Sequence, residues 1–165
     1  MKKLLVLAAS AAVIATPAAA APGDTSTASG AATAEVVAPI ELTHVTGAAL
    51  DFGTFTTGDT GGTVVVDNTG AGTASGDVTL LSDSVEAADA FTVAGDASRS
   101  FTITTGGGNV SNGTDTMGFT TSAPGTGTLD ASGAASFVVS GTLTVAGGES
   151  SGTYTGSYSV TVAYD

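Results

Sequence analysis

Apolar and polar residues alternate over short stretches along most of the chain. Between Thr33 and His44, every second position is apolar, namely Ala34, Val36, Ala38, Ile40 and Leu42. Because successive side chains of a strand point to opposite faces, this spacing predicts a β-strand over residues 33–44. Pro39 lacks a backbone donor, so the strand should lie at a sheet edge or bend at this residue.

The same spacing recurs after His44 in short units that are separated by Gly, Asn, Asp and Ser. The apolar pairs are Leu50 and Phe52, Val64 and Val66, Val78 and Leu80, Phe91 and Val93, Phe101 and Ile103, and Met117 and Phe119. Two longer strands are predicted at Ala135–Val145 and Gly152–Asp165, and only Ser84–Ala90 tolerates a helical turn. The pattern is typical of an all-β antiparallel sandwich or barrel, and we predict a sandwich of about eight to ten short strands.

The first twenty residues have a different pattern. Lys2 and Lys3 precede an apolar run, and Ala18–Ala20 fits a small-residue cleavage site. These features predict a signal peptide over residues 1–20 and export through the inner membrane, to the periplasm or the outside of the cell. The apolar run is shorter than the roughly 20 residues of a membrane span, so no span is expected in the mature chain. Residues 21–32 are predicted to form a flexible tail, and residues 33–165 a single domain.

Charge excludes several classes of partner. The chain has 15 acidic and three basic residues. Two of the basic residues lie in the predicted signal peptide, which leaves Arg99 against all 15 acids and a net charge of −14 with His44 neutral. Such a chain is unsuited to nucleic acid or to anionic membrane surfaces. It has no cysteine, so disulfides, a thiol nucleophile and cysteine-ligated zinc are also excluded.

The sequence offers little catalytic chemistry. His44 is the only histidine, and no motif supplies the aspartate and nucleophile that a catalytic triad needs. We therefore expect an edge or solvated histidine, no enzymatic activity and no cofactor.

One group of acidic residues is a candidate for calcium binding. The carboxylates of Asp83, Glu86 and Asp89 lie near two serines and could bind calcium through oxygen ligands. Because 15 acids in a chain of this length make chance proximity common, and the spacing differs from that of an EF-hand, no metal is assigned.

Several short phrases resemble known families. The phrases Val36–Ile40, Leu50–Thr54 and Phe91–Gly95, with the terminal strand, resemble a bacterial secreted family known as domain of unknown function forty-four-oh-two (DUF4402). This resemblance covers about residues 33–165. The alternating N-terminal segment and the tyrosine next to the last residue also resemble subunits of chaperone-usher pili.

The pilin resemblance implies a mechanism of assembly. The resemblance implies that this chain, too, is an immunoglobulin-like sandwich that lacks one strand, and that the N-terminal segment of the next subunit completes it by β-augmentation. The side chains that would fill the groove are Ala34, Val36, Ala38, Ile40 and Leu42. Before assembly, a periplasmic chaperone would pair with the terminal strand, and an outer-membrane usher would then direct assembly. The chaperone-binding residues would be Tyr154, Tyr158, Val160, Val162, Tyr164 and Asp165. The expected function is a secreted fimbrial subunit that contributes to adhesion.

A second interpretation stays open. Residues 33–44 could complete their own sandwich as its first strand, which would make the protein a self-complete, monomeric binding module of the periplasm or cell surface. Pro39 also allows a division, in which the residues before it form the donor segment and those after it the first strand.

Overall fold

The computed structural model describes Gly23, Thr25 and residues 27–165. The predicted signal peptide and part of the predicted tail lie outside the described residues. The chain divides into two compact units, residues 1–35 and residues 36–165. The described residues of the first unit contain no helix or strand. No helix in the described part of the chain is long and apolar enough to cross a membrane.

The second unit is built of strands. Eleven strands and no helix occur in the described part of the chain. The strands are β1 (Glu41–His44), β2 (Phe55–Val66), β3 (Gly72–Leu80), β4 (Asp89–Ala94), β5 (Ser100–Thr105), β6 (Gly108–Ser111), β7 (Thr116–Ser122), β8 (Thr126–Thr128), β9 (Ala134–Val145), β10 (Thr155–Ser157) and β11 (Val160–Tyr164). The predicted all-β class is confirmed, with slightly more strands than expected.

The strands form two antiparallel sheets in a sandwich-like arrangement. In the larger sheet the order is β1-β4-β9-β7-β6-β10, with β2 paired to both β3 and β9. The smaller sheet has the order β11-β5-β8. Strand β9 connects two parts of the larger sheet. Its residues Ala134–Val139 pair with β4, and its residues Gly141–Val145 pair with β2. The antiparallel sandwich predicted from the sequence is therefore confirmed.

The alternating apolar residues form two buried clusters. The first cluster contains Phe52, Val64, Val66, Val78, Met117, Phe119, Leu143 and Val145. The second cluster contains Phe91, Val93, Phe101, Ile103, Leu129, Phe137 and Val139. Each apolar pair recognised in the sequence is buried in one of these clusters or packs against it. Since burial of such a side chain stabilises a fold by about 1.5–3 kcal/mol, these clusters are the main source of stability.

The N-terminal strand is shorter than predicted. Only Glu41–His44 forms a strand, which pairs with β4 from Glu41 opposite Ala94 to His44 opposite Phe91. Residues 33–40 have no strand structure, and Val36 is 96% exposed. Pro39 has no N–H for a ladder, so regular pairing begins only after it.

The predicted terminal strand is interrupted. Residues 155–157 pair with β6 in the larger sheet, whereas residues 160–164 pair with β5 in the smaller sheet. The break falls at Tyr158, whose side chain packs against both clusters. Its hydroxyl group donates a hydrogen bond of 2.7 Å to Asp89, and this contact accompanies the passage of the chain from one sheet to the other.

Two further segments differ from the sequence-based expectation. Residues 84–90 form no helical turn, and strand β4 begins at Asp89. Leu50 and Phe52 flank an isolated bridge between Asp51 and Ala87 and lie outside the regular strands. Their alternation reflects the packing of two side chains on the first cluster, which needs no extended ladder.

Candidate functional site

Strands β1 and β11 are both edge strands. Among the described strands, β1 pairs only with β4 and β11 pairs only with β5. Glu41, at the start of β1, lies opposite Ala94, and Tyr164, at the end of β11, lies opposite Phe101. Both residues are therefore close to the turn between β4 and β5. Because β1 begins at this turn and β11 ends there, the two strands run in opposite directions. We call these two strands the open edge.

Every second residue of β11 directs its backbone N–H and C=O groups away from the partner strand β5. The N–H of Asp165 donates to the carbonyl of Ser100 at 3.3 Å, and the N–H of Gly106 donates to the carbonyl of Ser159 at 3.0 Å. In an antiparallel ladder, hydrogen-bonded and non-hydrogen-bonded pairs alternate. The N–H and C=O groups of the intervening residues thus face the open edge, and no described strand pairs with them; these residues are Val160, Val162 and Tyr164.

The side chains of the open edge form an apolar surface. Five partly buried residues of β11, β1 and the preceding segment pack against the second cluster, namely Ile40, Leu42, Val160, Val162 and Tyr164. Unpaired backbone groups beside apolar side chains are the features that bind an extended peptide as an added strand. The open edge is therefore the candidate functional site.

Tyr164 organises one end of the open edge. Its hydroxyl donates to the carbonyl oxygen of Ala38 at 3.0 Å and accepts from the N–H of Asp96 at 2.7 Å. Asp96 in turn accepts a hydrogen bond of 2.8 Å from Nε of Arg99. Gly95 leaves room for the hydroxyl, since a Cβ at that position would overlap it. Tyr164 thus joins β11, the β4–β5 turn and the residue before Pro39.

A buried carboxylate organises the other end. Asp89 is 4% exposed and is the only buried charged residue in the part of the chain that the structure describes. Its Oδ1 lies 2.7 Å from Nε2 of His44 and accepts from the N–H of Ala90 at 2.8 Å, while its Oδ2 accepts from the hydroxyl of Tyr158. Burial, and then the adjacent carboxylate, raises the pKa of Tyr158 well above its usual range. The phenol therefore stays protonated and continues to donate.

The structure places the predicted groove-filling residues in two groups. Ala34, Val36 and Ala38 are exposed. Ile40 and Leu42 instead pack against the second cluster of their own domain. The division falls at Pro39.

The predicted chaperone-binding residues also separate. Tyr154 packs against the first cluster, and its hydroxyl donates to the carbonyl of Ser150 at 2.8 Å. Tyr158 contacts both clusters. The remaining four residues lie together along β11 and at its end, namely Val160, Val162, Tyr164 and Asp165.

The structure does not bring the three candidate calcium ligands together. No group of three or more potential metal-binding side chains occurs among the residues that the structure describes. Asp89 is engaged by His44 and Tyr158, and Glu86 accepts a hydrogen bond from the hydroxyl of Ser84.

Sequence reasoning missed the contact of Asp89 with His44 and Tyr158. One signal was present, because Asp89 shares the spacing of Phe91 and Val93, which places it on the buried face of β4. Its partners could not be identified in this way, since His44 is 45 residues and Tyr158 is 69 residues away along the chain.

The fold and the open edge define the class of this protein, an antiparallel β-sandwich domain in which the edge strands β1 and β11 each pair on one side only. The chain belongs to the family described as domain of unknown function DUF4402, whose model matches residues 40–164. That range begins one residue after Pro39 and contains all eleven described strands. Neither a curated protein nor a solved structure matches the chain.

Proposed function

We propose that this protein is a secreted structural subunit of a surface fimbria that assembles by donor-strand exchange and contributes to adhesion. Residues 33–39 of one copy would pair with β11 of the next. The observation that carries the proposal is the set of three alternate residues of β11, Val160, Val162 and Tyr164, whose backbone groups face away from β5 beside apolar side chains. An extended segment with alternating apolar residues is the ligand that such an edge binds.

Antiparallel pairing matches the donor segment to β11. Residues directly opposite each other in such a pair point to the same face, and those in hydrogen-bonded pairs exchange both backbone bonds. If Val36 lies opposite Val162, then Ala34 lies opposite Tyr164 and Ala38 opposite Val160. All three donor side chains then face the second cluster. The N–H and C=O groups of Ala34 and Val36, together with the N–H of Ala38, would complete the ladder, while the Ala38 carbonyl keeps its hydrogen bond from Tyr164.

Pro39 is compatible with this pairing. It belongs to the odd-numbered positions of the donor segment, whose backbone groups would point away from β11. Its missing N–H therefore removes no hydrogen bond from the new ladder, which is the situation in which strands accept proline.

The two sides of Pro39 would have different roles. Ile40 and Leu42 pack against the second cluster and keep β1 on its own domain. Val36, by contrast, exposes 96% of its surface, so burial in a neighbouring subunit would remove a large apolar side chain from water. Residues 33–39 are thus proposed as the donor segment and residues 41–44 as the first strand.

The resemblance to pilins supplies the remaining partners. A periplasmic chaperone would occupy the β11 edge before exchange, and an outer-membrane usher would direct assembly. The signal peptide would bring the chain to the periplasm, and the assembled subunit would lie at the cell surface. The proposal assigns the protein no catalytic step.

Engineered cysteines test the proposal directly, because the chain has none of its own. In the pairing above, Val37 lies opposite Thr161 in a non-hydrogen-bonded pair, where Cβ atoms are close enough for a disulfide. Protein with Val37→Cys and protein with Thr161→Cys are mixed and oxidised. We expect disulfide-linked heterodimers on a non-reducing gel.

The matched control replaces Thr161→Cys with Thr73→Cys. Thr73 is an exposed residue of β3, which pairs only with β2 among the described strands. Equal cross-linking to both positions, or none to Thr161→Cys, would contradict donor-strand pairing at β11.

A self-complete monomeric binding module is the alternative function. It is favoured by one observation, that β1 already pairs with β4 and packs on the core of its own domain. In that case the protein stays monomeric at high concentration. Removal of residues 27–39 then leaves its oligomeric state unchanged, and lowers its unfolding temperature only by the loss of the hydrogen bond between Tyr164 and Ala38.

A further inference from the structure

We infer that Pro39 and Tyr164 prevent the donor segment from folding back onto β11 of its own subunit, so that the segment can complete only a second copy. This inference rests on the proposed function and adds the control of self-completion. Three features of the open edge support it: the direction of its strands, the residues at the required turn, and the hydrogen bonds already made there.

Strand direction separates the two modes of insertion. β1 begins beside the β4–β5 turn, and β11 ends there. The segment before β1 would have to reverse direction immediately before Glu41 to lie along its own β11, and it would then run parallel to that strand. A segment from a second copy has no such restriction and can pair antiparallel, which is the more stable arrangement per residue.

The residues at the required reversal do not fit a tight turn. A two-residue hairpin would have Pro39 and Ile40 at its centre. The favoured turns of this kind, types I′ and II′, need a positive φ at the first central residue, whereas proline fixes φ near −65°. The reversal would also draw Ile40 away from the second cluster, against which it packs.

The hydrogen-bonding groups of that hairpin already have partners. The turn would be closed by a bond from the N–H of Glu41 to the carbonyl of Ala38. The Ala38 carbonyl accepts from Tyr164. Because the N–H of Val45 donates to the carbonyl of Ala90, alternation along β1 directs the N–H of Glu41 towards β4.

An orientation-specific disulfide tests the inference. In a segment that runs parallel to its own β11, with Val36 opposite Val162, residue 37 lies opposite residue 163. A single chain that carries both Val37→Cys and Ala163→Cys would then form an intramolecular disulfide, which is seen as a faster monomer band. The chain is oxidised at high dilution with Pro39 intact, with Pro39→Gly, and with Pro39→Gly combined with Tyr164→Phe.

We expect a minor intramolecular product with Pro39 intact and about a fivefold increase with Pro39→Gly, because glycine adopts the φ that the turn needs. Adding Tyr164→Phe should increase the product further. Pro124→Gly, in an exposed loop between β7 and β8, is the matched control and should leave the product unchanged. Circular dichroism confirms that each variant is folded.

The outcomes separate this inference from the proposed function. A dominant intramolecular product with Pro39 intact, or no increase in either glycine variant, overturns the inference. If the glycine variants gain the intramolecular product while Val37→Cys fails to cross-link to Thr161→Cys, the inference holds and the proposed function fails. If that cross-link forms and the glycine variants gain nothing, the proposed function holds and the inference fails.

Discussion

The hydroxyl group of Tyr164 lies 3.0 Å from the carbonyl oxygen of Ala38, although the two residues are 126 positions apart in the chain. The same hydroxyl accepts a hydrogen bond from the N–H of Asp96. One side chain at the end of β11 therefore holds both the segment that precedes β1 and the β4–β5 turn. The open edge is fixed at this end by a tyrosine, and at the other end by the contact of Tyr158 with Asp89.

Removal of the Tyr164 hydroxyl should destabilise the domain moderately. Tyr164→Phe keeps the ring but removes two hydrogen bonds, so we expect a loss of about 1–2 kcal/mol in the free energy of unfolding. Urea denaturation measures the change. Tyr154→Phe is the control, because its hydroxyl only donates, to the Ser150 carbonyl and to Asp115, whereas Tyr164→Phe also leaves the part-buried N–H of Asp96 without its acceptor. An equal or larger loss for Tyr154→Phe would contradict the role given to Tyr164.

Loss of the Asp89 carboxylate should be more severe. Asp89→Ala leaves the hydroxyl of Tyr158 and the N–H of Ala90 without their acceptor in a mostly buried position. We expect a decrease of about 2–4 kcal/mol in the free energy of unfolding, since each unsatisfied buried donor costs about 1–3 kcal/mol. Denaturant titration provides the measurement. The exposed residue Asp77 is the control, and a similar loss for Asp77→Ala would refute the importance of the buried position.

Tyr158 should make stability depend on alkaline pH. Its pKa is raised in the folded protein, first by burial and then by its contact with Asp89. A group with a raised folded pKa stabilises the fold fully below its unfolded pKa of about 10 and loses that contribution as the pH rises further. We therefore expect the urea midpoint to fall above about pH 10. Tyr158→Phe should show a smaller fall, and identical pH profiles for the two proteins would contradict the prediction.

A charge at Val36 should separate assembly from folding. Because Val36 is 96% exposed in its own subunit, Val36→Asp should change the free energy of unfolding by less than about 0.5 kcal/mol. If Val36 enters a neighbouring subunit, the same change buries an unpaired carboxylate and should abolish assembly. Light scattering coupled to size-exclusion chromatography measures both monomer and polymer. Val85→Asp, at another exposed valine, should leave assembly intact.

Alternation of apolar residues was sufficient to predict most of the sandwich. The strand predicted at Ala135–Val145 is observed at Ala134–Val145, because its buried positions recur at every second residue from Phe137 to Val145. The prediction was wrong at Gly152–Asp165, where the alternation continues through the break at Tyr158. A period of two identifies which residues face a core, but it does not specify which of two sheets a strand joins. Here the chain changes sheets at Tyr158, which contacts Asp89, a residue 69 positions away in the sequence.

The candidate site was only partly predictable for a similar reason. Val36 and Leu42 share one alternating pattern, yet Val36 is exposed and Leu42 packs on the second cluster. Pro39 was the visible sign that this pattern changes its structural role. The hydrogen bond between Tyr164 and Ala38 had no such sign, because it depends on how the two ends of the domain meet.

Strand β9 also has a consequence for how the domain unfolds. Its twelve residues contribute Phe137 and Val139 to one cluster and Leu143 and Val145 to the other. Separation of the two clusters would require this strand to break in its middle and expose both sets of side chains to water. The clusters are therefore coupled through one continuous backbone, and heating should melt them together in a single cooperative transition.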